Sequence, residues 1–290
     1  MEFKIKATLF ALLFLFVSVP LSATTVLVII TPDGIVVAAD SKTITKYFGG
    51  ESGPEFGPTK KIFLIHNRIA VGTVGMAGAP QVILTAANRP IFTYDPIAWF
   101  AEIENKTPED VSVREVVRII KSKSDSAFSP VGALIDKGAI KQKQAGNYRL
   151  QYIVCGFDDA GVAVVEEVNL NFDWQNGQLI GPDVVPVFPD FKARRFDFGF
   201  HAASSGYTDA VDAVLREQAN SKMFKSVVAE AGKELSIFLT KKDLNLDQAS
   251  RLLCAILRAQ HKHTPSAVGP PYDVIWLQKD GMVNRVNYFK

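Results

Sequence analysis

SATTVLVIITPDGIVVAAD, Ser22 to Asp40, carries two apolar runs around a turn. Its first run, VLVII, is rich in β-branched residues and fits a buried strand. Pro32 and Gly34 in TPDG supply the backbone angles of a tight turn, and IVVAAD reads as the returning strand, which predicts a hairpin. Two threonines, Thr24 and Thr25, stand at its start. What precedes them has a different character and decides what they are for.

Residues 1–23 begin with a positive region at Lys4 and Lys6 and continue as an apolar run, ATLFALLFLFVSV. Pro20 breaks the run and small residues follow to Ala23. This is the grammar of a secretory signal peptide, and the run is short for a membrane span. Cleavage after Ala23 would make Thr24 the first residue. The expectation is a signal peptide at 1–23 and one domain at 24–290, with 171–195 as an insertion. The protein is then exported, periplasmic or secreted, with no membrane attachment after the cut. An uncleaved anchor that uses TTVLVII as extra apolar length is the alternative.

The whole chain has 290 residues, 48% hydrophobic and 21% charged, an ordinary globular balance. Its formal charge of +2 is spread along the sequence, which argues against a nucleic-acid partner. Cys155 and Cys254 both lie in apolar patterns and read as buried thiols, with nothing to indicate a disulfide. The HKH at His261–His263 lacks other ligands at a suitable spacing, so neither metal nor cofactor is expected. Asn105-Lys106-Thr107 is a glycosylation sequon, relevant only in a eukaryote.

Further along, 47–58 is rich in Gly and Pro and reads as a loop. KKIFLIHNRIAVGTVG predicts two strands turning at His66–Arg68. The region 81–144 reads as mostly helical, interrupted at Pro90, Pro96 and Pro108, with its clearest amphipathic spacing at 108–122. A second hairpin is expected at 148–170, turning at Asp158–Gly161, and a last one at 272–286. No assignment follows for 171–195. Helical patterns fill much of 207–260. Blocks of strands and helices in this order indicate an α+β fold of antiparallel sheets covered by helices.

The segments TTVLVIITPDGIVVAADSKT, TKKIFLI and VGTVGMAG resemble the N-terminal part of proteasome β-type subunits and related bacterial peptidases. IVCGFDDAG and DVIWLQKDG are similar to that family's second hairpin and closing strand pair. The family is the N-terminal-nucleophile hydrolases, threonine peptidase type. The resemblance implies a four-layer αββα sandwich of two antiparallel sheets between helices. It implies Thr24 as nucleophile, Asp40 and Lys61 as its acid and lysine, Gly75 as the oxyanion donor and Ser204 as a supporting serine. It implies a first specificity pocket lined by Thr43, Thr59, Phe63, Thr73 and Ala77, a peptide or protein substrate, and no cofactor. Relatives form rings, and whether this chain forms a homo-oligomer stays open.

The chemistry suits the residue types. A threonine hydroxyl needs a base, and a terminal amine with a reference pKa of about 7.7–8.0 is one. Lys61 would favour the alkoxide and Asp40 would hold Lys61 charged and oriented. Beginning at Thr25 would put Asp40 out of step by one residue. Each residue also has a plainer role: Asp40 as a turn cap, Lys61 as a surface charge, Gly75 for close packing, Ser204 as a helix N-cap.

The resemblance is incomplete. The family's acid before the last strand pair is missing from RAQHKHTPSAVG, where His261, His263, Thr264 and Ser266 are the candidate replacements. Ala23, not glycine, precedes Thr24, which suggests that export itself exposes the nucleophile. The leading expectation is an exported threonine endopeptidase. The alternatives are an amidase for a small amide on the same fold, and an inactive proteasome-like scaffold subunit.

Overall fold

The computed structural model describes residues 25–46, 52–56, 59–75, 81–84, 90–136, 149–171, 173–175, 178–180, 183–186, 200–204, 209–216, 218–240, 242–265 and 268–286. In chain order the strands are β1 (Thr25–Ile30), β2 (Gly34–Asp40), β3 (Thr43–Lys46), β4 (Ser52–Phe56), β5 (Ile62–Ile65), β6 (Ile69–Gly75), β7 (Gln81–Leu84) and β8 (Pro90–Tyr94). Two helices follow, α1 (Pro96–Lys106) and α2 (Val113–Asp136). Then come β9 (Arg149–Phe157), β10 (Ala163–Asn171), β11 (Asp173–Gln175), β12 (Gln178–Ile180), β13 (Asp183–Pro186) and β14 (Phe200–Ser204). Helices α3 (Asp209–Leu215), α4 (Lys222–Leu239) and α5 (Leu246–His263) lead into β15 (Tyr272–Gln278) and β16 (Val283–Val286).

The fold is α+β with two antiparallel sheets. One five-stranded sheet has the order β14-β1-β2-β15-β16, the other β13-β10-β9-β6-β5. β1 is buried along its whole length. Its even-numbered side chains, Val26 and Val28, join a cluster with Ala70, Ile153 and Val165 of the other sheet. Its odd-numbered Leu27 and Ile29 pack with Leu252, Leu253 and Ile256 of α5. A strand buried on both faces must be apolar without alternation, which is what TVLVII supplies. The second sheet's far face, with Phe63, Val71 and Tyr152, packs on Trp99, Phe100 and Ile103 of α1 and on Val116 and Ile120 of α2.

Local chemistry sets the element ends. The Thr31 hydroxyl donates to the Gly34 carbonyl at 3.0 Å and accepts from the Gly34 N–H at 3.1 Å, closing the β1–β2 turn. His66 and Asn67 take positive φ in the β5–β6 turn, the geometry a tight hairpin twist requires. Asp95 caps α1 ahead of Pro96, and Asn245 with Gln248 forms a capping box on α5.

Three expectations change. The loop at 47–58 contains β4, which pairs with β3 through a shifted register; Gly53 and Pro54 are tolerated because a two-stranded ribbon leaves an edge free on each strand. The region 81–144 is not helical from its start. Its first part is the β7–β8 hairpin, short apolar runs with Pro90 at the first position of its strand, where the missing N–H does least harm. Helix begins only at Pro96. The unassigned 171–195 contributes the β11–β12 hairpin and β13, which extends the second sheet beside β10.

The two cysteines lie in different clusters, Cys155 between the sheets and Cys254 on α5's buried face. Both are free, and burial pushes each thiol up to about 12. Among the described residues no helix is long and apolar enough to cross a membrane, and no cluster of ligating side chains could hold a metal ion.

The sheets approach closely at Gly72, where an added Cβ would lie 2.6 Å from Val26 Cγ1. Gly72→Ala is expected to destabilise the fold by roughly 1–3 kcal/mol. Combined with Val26→Ala, which opens space at that point, the double variant should be more stable than the sum of the single losses by more than about 0.5 kcal/mol. Strict additivity in urea unfolding would place the two residues out of contact.

Candidate active site

Asp40 ends β2, directly opposite Tyr272 at the start of β15 and one step beyond the Val26–Ala39 pair of β1 and β2. Lys61 immediately precedes β5 of the other sheet. Both side chains are completely buried, and Lys61 Nζ lies 3.1 Å from Asp40 Oδ1. The same Oδ1 accepts the Thr25 N–H at 2.9 Å. Oδ2 accepts the Lys42 N–H at 3.1 Å and the Gly269 N–H at 3.4 Å. A carboxylate has about four lone-pair sites, and here each meets a donor.

Lys61 also donates to the Lys42 carbonyl. Its own carbonyl accepts the Thr73 N–H at 2.8 Å and the Thr73 hydroxyl at 3.1 Å. Residues 41–42 are tied further: the Ser41 carbonyl accepts the Thr59 N–H at 3.0 Å, and the Ser41 N–H donates to the Gly269 carbonyl at 3.3 Å. Thus β1, β2, the approach to β5 and the segment before β15 converge on one carboxylate.

Burial dominates the electrostatics of the pair. It pushes the Asp40 carboxyl up from its ordinary value and the Lys61 ammonium down, while their mutual attraction pulls each back. The energetic gap between the charged and neutral forms of the pair is therefore narrower than in water. Two buried hydroxyls near the pair, Thr25 Oγ1 and Ser41 Oγ, have no hydrogen-bond partner among the described residues.

The sequence-identified residues divide as follows. Asp40 and Lys61 are in direct contact. Thr24 and Ala77 lie outside the described residues. Gly75 closes β6 opposite Leu150. Thr73 turns its N–H toward Lys61, and strand alternation sends the Gly75 N–H to the same side, where the pairing with β5 has ended at Ile62–Gly72. Ser204 is opposite Thr25 at the end of β14. Thr43 begins β3. The Thr59 hydroxyl donates to the Ser41 carbonyl at 3.2 Å. Phe63 is buried on the helix-covered face, stacked on Phe100 at 4.6 Å, and Thr73 is fully buried.

The residues that sequence reading did not identify act through their backbones: Thr25 N–H, Lys42 N–H and C=O, and Gly269 N–H. Main-chain groups belong to every residue type, so no sequence signal marks them. Only the register of β1 against β2 points toward Thr25, because Val26–Ala39 pairing sets Thr25 across from Asp40.

No family model matches the sequence, and no curated protein matches it. Among solved structures the chain is similar to a mutant of Anbu from Hyphomicrobium sp. strain MC1, at 13% identity and a TM-score of 0.46. That match covers 91% of this chain and 87% of the other. A likeness at that score carries no argument for the fold or chemistry of this chain, both of which rest on its own geometry.

Removing one member of the buried pair strands the other charge. Lys61→Met is expected to lower stability by about 3–5 kcal/mol at neutral pH, and Asp40→Asn with Lys61→Met to recover much of that loss. The pH dependence has a definite sign. Without Lys61, the folded-state pKa of Asp40 lies above its unfolded value, so the folded state holds the proton more tightly. The loss in Lys61→Met should then be smallest at acid pH and grow as pH rises through the folded pKa. A loss that is independent of pH in urea titrations would mean that Asp40 is not stranded.

Proposed function

We propose that the protein is an exported N-terminal threonine hydrolase acting on peptide bonds, with Thr24 as the nucleophile once residues 1–23 are removed. One observation carries the reading: the buried Asp40–Lys61 pair grips the amide N–H of Thr25. Thr24 is joined to that amide by a single peptide bond. A hydroxyl and amine on residue 24 would then be one residue away from an amide held by the pair.

The same contact separates the two threonines. The Thr25 nitrogen is an amide whose hydrogen goes to Asp40, so Thr25 supplies no amine base in a chain that keeps Thr24. Thr25 also shares the alternation of Leu27 and Ile29, which face the helices.

In the proposed reaction the terminal amine takes the Thr24 hydroxyl proton while the oxygen attacks the substrate carbonyl carbon. An ammonium has three donors, and among the described residues Lys61 uses two, on Asp40 and on the Lys42 carbonyl. The remaining donor would stabilise the developing alkoxide. The Gly75 N–H would hold the tetrahedral oxyanion. As the C–N bond breaks, the amine's proton passes to the leaving nitrogen, giving an acyl ester on Thr24. Water then cleaves the ester, again with the amine as base.

We read the fold as the four-layer sandwich of this hydrolase class, supported by the three separate apolar clusters, one between the sheets and one under each set of helices. In the specificity pocket, Phe63 and Thr73, both buried, would act from behind as packing.

A protein secreted from the full chain should begin at Thr24 by intact mass and take up a β-lactone probe on that residue. Thr24→Ala should lower turnover of fluorogenic peptides by about 10³-fold or more, and Thr24→Ser should retain part of it. Because the amine must be neutral, the rate should rise with pH through about 7–8. A mature chain beginning elsewhere, or equal rates for Thr24→Ala and the parent, would overturn the reading.

A further inference from the structure

We propose that His261 is a positioning residue for the Asp40–Lys61 pair, acting through the Val268–Gly269 peptide. Its catalytic significance rests on the function proposed above; its effect on Asp40 does not.

His261 lies in the last turn of α5. Its Nδ1 is hydrogen-bonded to the Val268 carbonyl. A carbonyl only accepts, so Nδ1 carries the hydrogen. The Val268 C=O and the Gly269 N–H are the two ends of one planar peptide unit. The N–H end donates to Asp40 Oδ2. His261 therefore donates into one end of a peptide whose other end donates to the buried carboxylate. Hydrogen bonds in such a chain polarise one another, and donation to the carbonyl makes the N–H a stronger donor.

The peptide has little freedom to choose another orientation. The Gly269 carbonyl accepts the Ser41 N–H. The Val268 N–H donates to the Thr264 carbonyl at 3.1 Å, and Lys42 Nζ donates to the Pro265 carbonyl at 2.7 Å. A Cβ on Gly269 would lie 3.2 Å from Lys42 Cδ and 3.7 Å from His261 Nδ1, so the site is filled around a glycine. The segment that lacks a carboxylate thus reaches Asp40 with a backbone donor, and an imidazole aligns that donor from behind.

The neighbouring candidates do other work. Thr264 caps α5, its hydroxyl donating to the Gln260 carbonyl at 2.9 Å and accepting from Gln260 Nε2 at 2.9 Å. His263 is exposed. Ser266 lies outside the described residues.

The test compares His261→Leu, His261→Asn and, as a control, His263→Asn in the full chain. An asparagine Nδ2 occupies roughly the place of Nδ1 and can donate to Val268. The Asp40 carboxyl, followed by ¹³C NMR, should titrate at least about half a unit higher in His261→Leu, because its Gly269 donor is weakened. It should return toward the parent value in His261→Asn and stay there in His263→Asn. β-Lactone acylation of Thr24 should fall roughly tenfold in His261→Leu at unchanged probe affinity, and recover to within about twofold in His261→Asn. An unshifted Asp40 in a folded His261→Leu protein overturns the proposal. Should that variant fail to fold, the parent protein decides: ¹⁵N shifts must show the Nδ1–H tautomer for His261, and an Nε2–H tautomer refutes it. A parent chain that never takes up the β-lactone, yet shows the Asp40 shift on substitution, refutes the hydrolase reading and keeps the positioning role.

Discussion

Two opposite charges removed from water at Asp40 and Lys61 impose the strictest condition on this structure. Each would lose several kcal/mol of solvation alone, and their attraction repays that only when every remaining lone pair and hydrogen is satisfied. The Asp40 carboxylate meets the condition with four donors drawn from four places in the chain: the start of β1, residue 42, the approach to β5 and the segment before β15. Residues 25 and 269 are therefore fixed relative to each other by one side chain. Loss of that group would release the end of β1 and the entrance to β15 together.

The two ends of the sheets differ accordingly. At the end away from the pair three short turns satisfy themselves, while in the β5–β6 turn the His66 N–H donates to Glu104 Oε1. Thr31 closes on Gly34, Asp158 Oδ1 accepts the N–H groups of Ala160 and Val162, and Asp280 Oδ1 accepts that of Met282. None of these three turns needs a group from elsewhere to satisfy it. At the Asp40 end the segments are longer and rely on one another for hydrogen-bond partners. A polar, partly water-excluded end opposite a set of tight turns is the usual division between a site and the scaffold that holds it.

Much of this was legible in the sequence. The β1–β2, β5–β6, β9–β10 and β15–β16 hairpins follow from apolar runs broken by Gly, Asn and Asp turns, signals carried by adjacent residues. Asp40 and Lys61 are identified by resemblance, since a lone Asp reads as a turn cap and a Lys beside Lys60 as a surface charge. Their burial is a tertiary fact. The β7–β8 hairpin was read as helix because QVIL and PIFTY are too short for period alone to separate strand from helix. The donors on Asp40 were illegible for a different reason: three of the four are backbone N–H groups. His261 is one of several candidates in and after α5's last turn, and its contact with the Val268 carbonyl distinguishes it.

The order of assembly follows from which groups build the pair. Every described donor to Asp40 and every described partner of Lys61 comes from residues 25–269. On the proposed reading, cutting before Thr24 would add a base beside groups that already hold one another. The desolvation of Asp40 and Lys61 would then be met by folding, before any substrate binds. That is the preorganised condition under which fixed donors lower a barrier without having to reorient during the reaction. In such a design the cleaved peptide bond is the switch, and the buried pair is the part that must already be correct when the switch is thrown.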